Sequence, residues 1–233
     1  MIRAVFFDWF YTLAHFEPQR HLLYKQAFSE VGIDLPPEKI VRSMLITDEY
    51  FYAENTKSAV AKRSPEEQLE VYLHYPLAIL ADAAIDTPED TSIKILKVVQ
   101  ESFKGTSFAL FDDVLPALKL LRKRGLTTGL ITNLNRDMPS ICRELGLDEY
   151  LDFIVTSAEA GVDKPDPTIF TAALKKAGLK AREAVHVGDQ YQIDVVGARG
   201  VGINPVFIDR YDIYPAVNDC PRIMTLVGLE KHL

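Results

Sequence analysis

The chain has 233 residues, of which 48% are hydrophobic and 25% charged, and its formal net charge is −7. This length and composition predict one large or two small globular domains, and an acidic chain without a basic cluster argues against nucleic acid as a partner. Its two cysteines lack metal-like spacing, which favours a reducing compartment. The sequence shows neither a signal peptide nor the roughly 20 apolar residues of a membrane helix. We therefore expect a cytoplasmic protein.

Five apolar segments predict β-strands, and helical patterns separate the later ones. Asp113 is a predicted N-cap of a helix through residue 121, and Asp166, followed by Pro167, is the predicted N-cap of another that ends at Gly178. A third helix is expected at 138–145. This alternation indicates an α/β fold with a mostly parallel sheet covered by helices. The predicted strands are residues 2–7, 126–132, 152–156, 184–188 and 203–208.

The region 16–106 has few strand signals and several helix signals. Ser64-Pro65-Glu66-Glu67 matches a capping box with proline at the first helical position, a pattern typical of a helix start. We interpret the region as about four helices inserted after the first strand. The expected domains are therefore a core of residues 1–15 and 107–233 and a helical domain of residues 16–106.

Polar and charged residues follow the ends of several predicted strands. The carboxyl ends of parallel strands meet at one edge of the sheet, where open α/β folds bind ligands, so these residues are expected to converge. They would supply a carboxylate nucleophile, donors for an anion, a fixed cation and acids for Mg²⁺. Such a set suits phosphoryl transfer, because the cations offset repulsion between phosphate and nucleophile. The candidate residues are Asp8, Thr132, Asn133, Lys164, Asp189 and Asp194.

Four segments, FFDWFYTL, LITN, SAEAGVDKPDP and HVGDQYQID, together resemble the motifs of the haloacid dehalogenase superfamily of hydrolases. The resemblance spans nearly the whole chain, and the insertion falls where subfamily I members carry a helical cap. It implies a Rossmann-like core with a parallel sheet and a mobile, inserted α-helical cap over the active site.

The resemblance also implies roles for individual residues. Asp8 is the expected nucleophile, which forms a covalent aspartyl intermediate, and Lys164 is expected to orient it and stabilise charge. Thr132 and Asn133 are the expected substrate-binding residues at the phosphate. The cofactor is expected to be Mg²⁺, and its expected ligands are Asp8, Asp189, Asp194 and the backbone carbonyl of Phe10.

The first motif departs from the family pattern at two positions. Phosphatases of the family usually have a second aspartate where this chain has Phe10, and a glycine where it has Tyr11. The second aspartate protonates the leaving oxygen and later activates water, a contribution of roughly 10²–10⁴-fold. Its absence favours acyl or aryl phosphates, whose leaving anions need little protonation. His15 and Glu17 are candidates for a substitute acid.

Three functions fit this pattern. The expected one is a Mg²⁺-dependent phosphatase that acts on a small phosphorylated metabolite. A 2-haloacid dehalogenase is the first alternative, because that branch also lacks the second aspartate and its halide leaves without a proton. Asp189 with Asp194 argues against it, since dehalogenases tend to lack the metal acids. The second alternative is a catalytically weak binding or regulatory protein. Neither the substrate nor the oligomeric state is indicated.

Overall fold

The computed structural model describes residues 1–233, except for the side chain of Glu89. The chain divides into two compact units, one formed by Met1–His15 with Phe108–Leu233 and the other by Phe16–Ser107. We call the first the core unit and the second the helical unit. Of the described helices, none combines the length and the apolar character needed to cross a membrane.

Eight strands and nine α-helices form the two units. The strands are β1 (Ala4–Phe7), β2 (Ala14–Glu17), β3 (Ser107–Leu110), β4 (Thr127–Thr132), β5 (Phe153–Thr156), β6 (Ala184–Gly188), β7 (Asn204–Ile208) and β8 (Arg222–Ile223). The helices are α1 (Arg20–Glu30), α2 (Pro37–Lys57), α3 (Pro65–Asp82), α4 (Glu89–Phe103), α5 (Val114–Lys123), α6 (Met138–Glu144), α7 (Ser157–Ala160), α8 (Pro167–Ala177) and α9 (Val196–Gly200).

The core unit contains a six-stranded parallel sheet in the order β5-β4-β1-β6-β7-β8. All four residues of β1 are fully buried, as expected for an apolar strand covered on both faces. Phe7 at its end lies opposite Leu130 of β4 and Val187 of β6, so these three strands finish at the same edge. The five predicted strands and the Rossmann-like parallel core are confirmed.

The helical unit contains α1 to α4, inserted between β2 and β3, which confirms the predicted helical insertion. The capping box at Ser64 is also confirmed, because its side chain accepts from the Glu67 N–H while the Glu67 carboxylate accepts from the Ser64 N–H. These reciprocal bonds satisfy two backbone donors at the start of α3, where the helix itself offers no acceptors.

The two aspartates predicted as helix N-caps have different roles. Asp166 caps α8, since its carboxylate accepts from the Thr168 N–H at 2.8 Å. Asp113 occupies the N-cap position of α5, as predicted, but its side chain makes no capping bond to the helix. Its Oδ2 accepts instead from Arg210 Nη1 at 3.1 Å and from the Leu226 N–H at 2.7 Å. An arginine and a distant backbone donor therefore compete successfully for this carboxylate.

Candidate active site

Asp8 lies directly after β1, at the carboxyl edge of the sheet. Its backbone N–H donates to the Val187 carbonyl at 2.9 Å, which continues the pairing with β6 by one residue. The residue is 9% exposed, and its Oδ1 accepts from Lys164 Nζ at 2.5 Å. A nearly buried carboxylate at this edge, fixed by a cation, has the placement expected of a nucleophile.

Lys164 joins two carboxylates. Its Nζ donates to Asp8 Oδ1 and also to Asp194 Oδ1 at 2.6 Å, and its side chain is 2% exposed. Burial alone would lower the pKa of Lys164, but the charges of Asp194 and Asp8 outweigh it and hold that pKa above its ordinary value. The ammonium group therefore stays protonated at neutral pH and acts as a fixed positive charge.

Asn133 holds the backbone that carries Lys164. Its Oδ1 accepts from the Lys164 N–H at 2.7 Å, and its Nδ2 donates to the Lys164 carbonyl at 3.0 Å. Both polar atoms of the Asn133 amide are thus hydrogen-bonded to a residue that lies 31 positions further along the chain. The side chain, predicted to bind substrate, joins the end of β4 to the lysine loop, and we propose that it acts by positioning Lys164.

Asp194 is held from three sides. Besides Lys164, its Oδ1 contacts His186 Nε2 at 2.9 Å, and its Oδ2 accepts from the Gln190 N–H at 3.1 Å. A Cβ atom on Gly188 would lie 2.2 Å from the Asp194 carboxyl carbon, so only glycine allows this approach. Burial opposes ionisation of Asp194, but Lys164 and then His186 outweigh it and lower its pKa to about 2.

Among the described residues, Asp8, Asp189 and Asp194 form a group in which one ligand oxygen from each lies within 4.8 Å of the others. Burial, followed by the charges of Asp8 and Asp194, raises the pKa of Asp189 well above its ordinary value. Three carboxylates thus face one lysine, which leaves an excess of negative charge. Oxygen ligands with excess negative charge suit Mg²⁺, so the residues present fit this ion.

Thr132 lies at the end of β4, next to β1. It is 2% exposed, and its Oγ1 accepts from the Leu134 N–H at 3.0 Å. A hydroxyl that accepts one bond still has its own proton to donate. Thr132 is therefore suited to donate to an anionic oxygen at this edge.

The loop of residues 9–13 contains both departures from the family pattern. Tyr11 has a φ of +57°, the left-handed conformation that glycine adopts without steric cost. The Tyr11 N–H donates to the Ala14 carbonyl at 2.7 Å, and the ring of Phe10 packs against that of Tyr11 with centroids 4.4 Å apart. The backbone at Tyr11 thus adopts a conformation that suits glycine, although the residue is a tyrosine.

The two candidates for a substitute acid lie in different units. His15 belongs to the core unit, where it is 8% exposed and its ring meets that of Phe111 edge-on at 4.8 Å. Glu17 is an exposed residue of the helical unit. A substitute role for either residue stays a prediction.

Sequence reasoning missed Arg210, which follows β7. Its Nε donates to the carbonyls of Tyr11 and Thr12, both at 3.2 Å, and its Nη2 donates to the Thr12 carbonyl at 2.6 Å. One signal was present, because residues 209 and 210 are charged and directly follow a predicted strand, as Asp8 does.

The chain belongs to the haloacid dehalogenase-like hydrolases, since a sequence model of that family matches residues 2–202. Over 139 residues it is 37% identical to haloacid dehalogenase-like hydrolase domain-containing protein 3 of Danio rerio, a match that covers 59% of this chain and 57% of that protein. Over 107 residues it is 37% identical to a phosphoserine phosphatase of Thermus thermophilus, covering 44% of this chain and 42% of that protein.

The chain thus spans about half the length of the curated relatives that it matches. A solved structure of a 2-haloacid dehalogenase from Pseudomonas syringae pv. Tomato is 27% identical to it, with a TM-score of 0.57. That likeness covers 99% of this chain and 97% of the other. The family therefore offers both a phosphatase and a dehalogenase for comparison.

Proposed function

We propose that the protein is a Mg²⁺-dependent phosphatase that hydrolyses a small phosphorylated metabolite through an aspartyl-phosphate on Asp8. The observation that carries the proposal is the group of three carboxylates around the buried Lys164 at one sheet edge. The phosphoserine phosphatase among the relatives supports it. The expected ligands are the carboxylates of Asp8, Asp189 and Asp194 with the Phe10 carbonyl, and bound Mg²⁺ would neutralise charge on the phosphate and on its neighbouring carboxylates.

The chain's own residues account for the first step. An oxygen of the Asp8 carboxylate attacks phosphorus, and the bond to the leaving oxygen breaks with its electron pair. Lys164 orients Asp8 through the bond to Oδ1 and remains protonated throughout. Thr132 donates its hydroxyl hydrogen to a phosphoryl oxygen, where negative charge must be held.

The second step regenerates Asp8. Water attacks phosphorus, the bond between phosphorus and the Asp8 oxygen breaks, and the departing carboxylate keeps the electron pair. The proton of the attacking water passes to the released phosphate or to solvent, because Phe10 has no group to accept it. We expect this step to be slow relative to that of a phosphatase with the second aspartate, by a factor of roughly 10²–10⁴.

Phe10 also predicts which substrates react. A leaving anion that is stable without a proton departs readily from a loose phosphoryl transition state, so acyl and aryl phosphates should react faster than alkyl phosphates. A series of phosphates with graded leaving-group pKa tests this, with His15→Ala and Glu17→Ala measured alongside. Equal rates for alkyl and aryl phosphates, unchanged in both variants, would refute the leaving-group effect and the two substitute acids.

The dehalogenase alternative is favoured by two observations, the aromatic Phe10 and the 27% identity to a solved 2-haloacid dehalogenase. In that reaction Asp8 attacks carbon, and halide leaves without a proton. The carboxylate group argues for the phosphatase, because halide displacement does not require a cation site with excess negative charge.

One screen separates the candidate functions. Phosphate release from many substrates and halide release from 2-haloacids are measured with Mg²⁺ and with a chelator, and Asp8→Asn serves as the blank. Mg²⁺-dependent phosphate release that is lost in Asp8→Asn supports the proposal. Metal-independent halide release supports the dehalogenase, and binding of a phosphate analogue without either activity supports a binding or regulatory protein. Phosphate release that is equal in Asp8→Asn and wild type contradicts the assigned nucleophile.

A further inference from the structure

The loop after Asp8 holds a bulky residue in a conformation that costs free energy. Tyr11 has a φ of +57°, in the left-handed region that is strained for a residue other than glycine. Such a residue persists only where its surroundings fix the backbone. The contacts of Tyr11 and Thr12 should therefore show what fixes this loop.

Arg210 supplies those contacts. Its guanidinium group donates three hydrogen bonds to the carbonyls of Tyr11 and Thr12, and its Nη1 donates to Asp113 Oδ2. The group also lies over the ring of Phe111, 3.8 Å from its centroid, and the side chain is 7% exposed. A planar group with five donors serves several acceptors at once, which the single ammonium of a lysine does not do as well.

The segment around Arg210 is itself anchored. The carboxylate of Asp209 accepts from the N–H groups of Ile213 and Tyr214 and from the guanidinium of Arg222. Tyr211 meets the ring of Tyr11 edge-on, with centroids 6.0 Å apart. Arg210 therefore acts from a fixed support, and its neighbour packs on the same loop.

We propose that Arg210 is a positioning residue that fixes the loop of residues 9–13 through the backbone carbonyls of Tyr11 and Thr12. This loop directly follows Asp8 and contains the Phe10 carbonyl. The kinetic part of the inference rests on the proposed role of Asp8 as nucleophile. Arg210 lies beyond residues 2–202, which match the family, so the inference comes from this chain's own contacts. It explains how the chain holds a tyrosine in the left-handed conformation at this position.

The first test measures the loop itself and needs no activity. Trp9 is the only tryptophan of the chain, follows Asp8 directly and is fully buried. We expect Arg210→Met to make Trp9 fluorescence more accessible to acrylamide and to shift its emission to longer wavelength. Arg199→Met is the matched control, because Arg199 also binds an aspartate and a backbone carbonyl, both of Asp219, but at the surface. Equal Trp9 emission and quenching in both folded variants would overturn the proposal.

The second test measures catalysis on the substrate found in the phosphate-release screen. Misplacement of reacting groups by about 1 Å costs up to 10²-fold, so Arg210→Met should lower kcat roughly 10–100-fold with little change in KM. Arg199→Met should keep the wild-type kcat. An unchanged kcat in folded Arg210→Met would overturn the proposal.

Two further variants keep the proposal testable if Arg210→Met does not fold. Arg210→Lys retains the charge beside Asp113 and should lower kcat by less than about tenfold relative to wild type, with Trp9 quenched more than in wild type. Arg210→Ala should regain kcat and a protected Trp9 when guanidinium is added at concentrations that do not denature wild type. A wild-type response in Arg210→Lys, or no rescue in Arg210→Ala, would contradict the proposal. A wild type without Asp8-dependent activity would instead refute the proposed function, while the fluorescence test would still decide the role of Arg210.

Discussion

Each unit contains a buried cluster of charges, and the two clusters differ in balance. In the helical unit, the Asp48 carboxylate accepts hydrogen bonds from Nη1 and Nη2 of Arg20, both at 2.9 Å, and from the Tyr75 hydroxyl at 2.6 Å. The negative charge of Asp48 is thus balanced by the positive charge of Arg20, and the Tyr75 hydroxyl is an additional hydrogen-bond donor. In the core unit, by contrast, three carboxylates surround the single ammonium group of Lys164.

The difference teaches how to distinguish a structural cluster from a candidate site. A paired and hydrogen-bonded cluster leaves no buried charge uncompensated in the absence of a ligand, whereas like charges held together in a buried place disfavour the folded state. Burial, opposed mainly by Lys164, raises the pKa of Asp8 to about 6. Such a cluster is retained where a ligand or a reaction uses it, so charge excess is a stronger indication of function than burial.

The largest expected effect is on the balanced cluster. Asp48→Asn leaves Arg20 buried with no counter-charge, so the free energy of unfolding should fall by roughly 3–5 kcal/mol. Urea unfolding followed by circular dichroism measures this. Arg20→Met should be destabilising by a similar amount, since it leaves Asp48 without its cation. An Asp48→Asn protein as stable as wild type would show that the pair is not needed for stability.

The same substitution in the unbalanced cluster should have the opposite sign. Asp8 has a folded-state pKa of about 6 against an ordinary value of 3.8, so its ionised form costs the folded, metal-free protein about 3 kcal/mol. Asp8→Asn should therefore raise the free energy of unfolding at neutral pH.

The pH dependence gives a control for this prediction. Because the folded state binds the Asp8 proton more tightly, the destabilisation is complete above a pH of about 6 and is lost as the pH falls towards 3.8. The difference in free energy of unfolding between Asp8→Asn and wild type should shrink over the same pH range. Urea unfolding in the presence of a chelator measures this difference. A variant less stable than wild type at neutral pH would contradict the charge-excess argument.

Mg²⁺ should offset the excess negative charge of the cluster in the core unit and so stabilise the folded protein. An ion that binds only the folded state stabilises it by about 2.7 kcal/mol at a hundredfold excess over its Kd. Wild type should therefore gain stability with Mg²⁺ in thermal unfolding, and Asp8→Asn should gain less because it has lost a ligand charge. Ca²⁺ serves as a comparison ion, and equal gains with Mg²⁺ in both proteins would place the binding elsewhere.

Local patterns in the sequence were sufficient to predict the strands and the polar residues near their ends. The apolar run before Asp8 predicted a buried strand, and the order of strands and helices predicted that Thr132, Lys164 and Asp189 follow their elements at one edge. Asp166 was identified correctly as a helix cap because its partner, Thr168, is two residues away. These features depend on neighbours in the chain, which a sequence displays directly.

Contacts that depend on distant partners were missed. Asp113 has the sequence context of a helix cap, but its carboxylate accepts from Leu226, 113 positions away, and from Arg210. The amide of Asn133 binds the backbone of Lys164, a contact 31 positions away that the sequence did not indicate. A side chain with several acceptors or donors chooses its partner in three dimensions, and a single sequence does not display that choice.

His186 gives the smallest expected effect and tests how the unbalanced cluster is held together. Burial lowers its pKa, although Asp194 opposes this, so the ring is neutral and its Nε2–H is the donor to Asp194 Oδ1 at 2.9 Å. Within the described structure its Nδ1 has no hydrogen-bond partner, so the ring contributes its bond to Asp194 and its edge-on packing against Phe170.

His186→Gln places an amide donor near Asp194 and should keep kcat within a few-fold of wild type, whereas His186→Leu removes the donor. A hydrogen bond to a charged acceptor contributes roughly 1.5 kcal/mol or more, so the leucine variant should lose about tenfold in kcat if Asp194 no longer aligns Lys164. KM should change little in both variants, because the His186 side chain is fully buried. Equal kcat values for the folded glutamine and leucine variants would show that Lys164 keeps its place without the histidine, so that Lys164 and Gln190 alone hold Asp194.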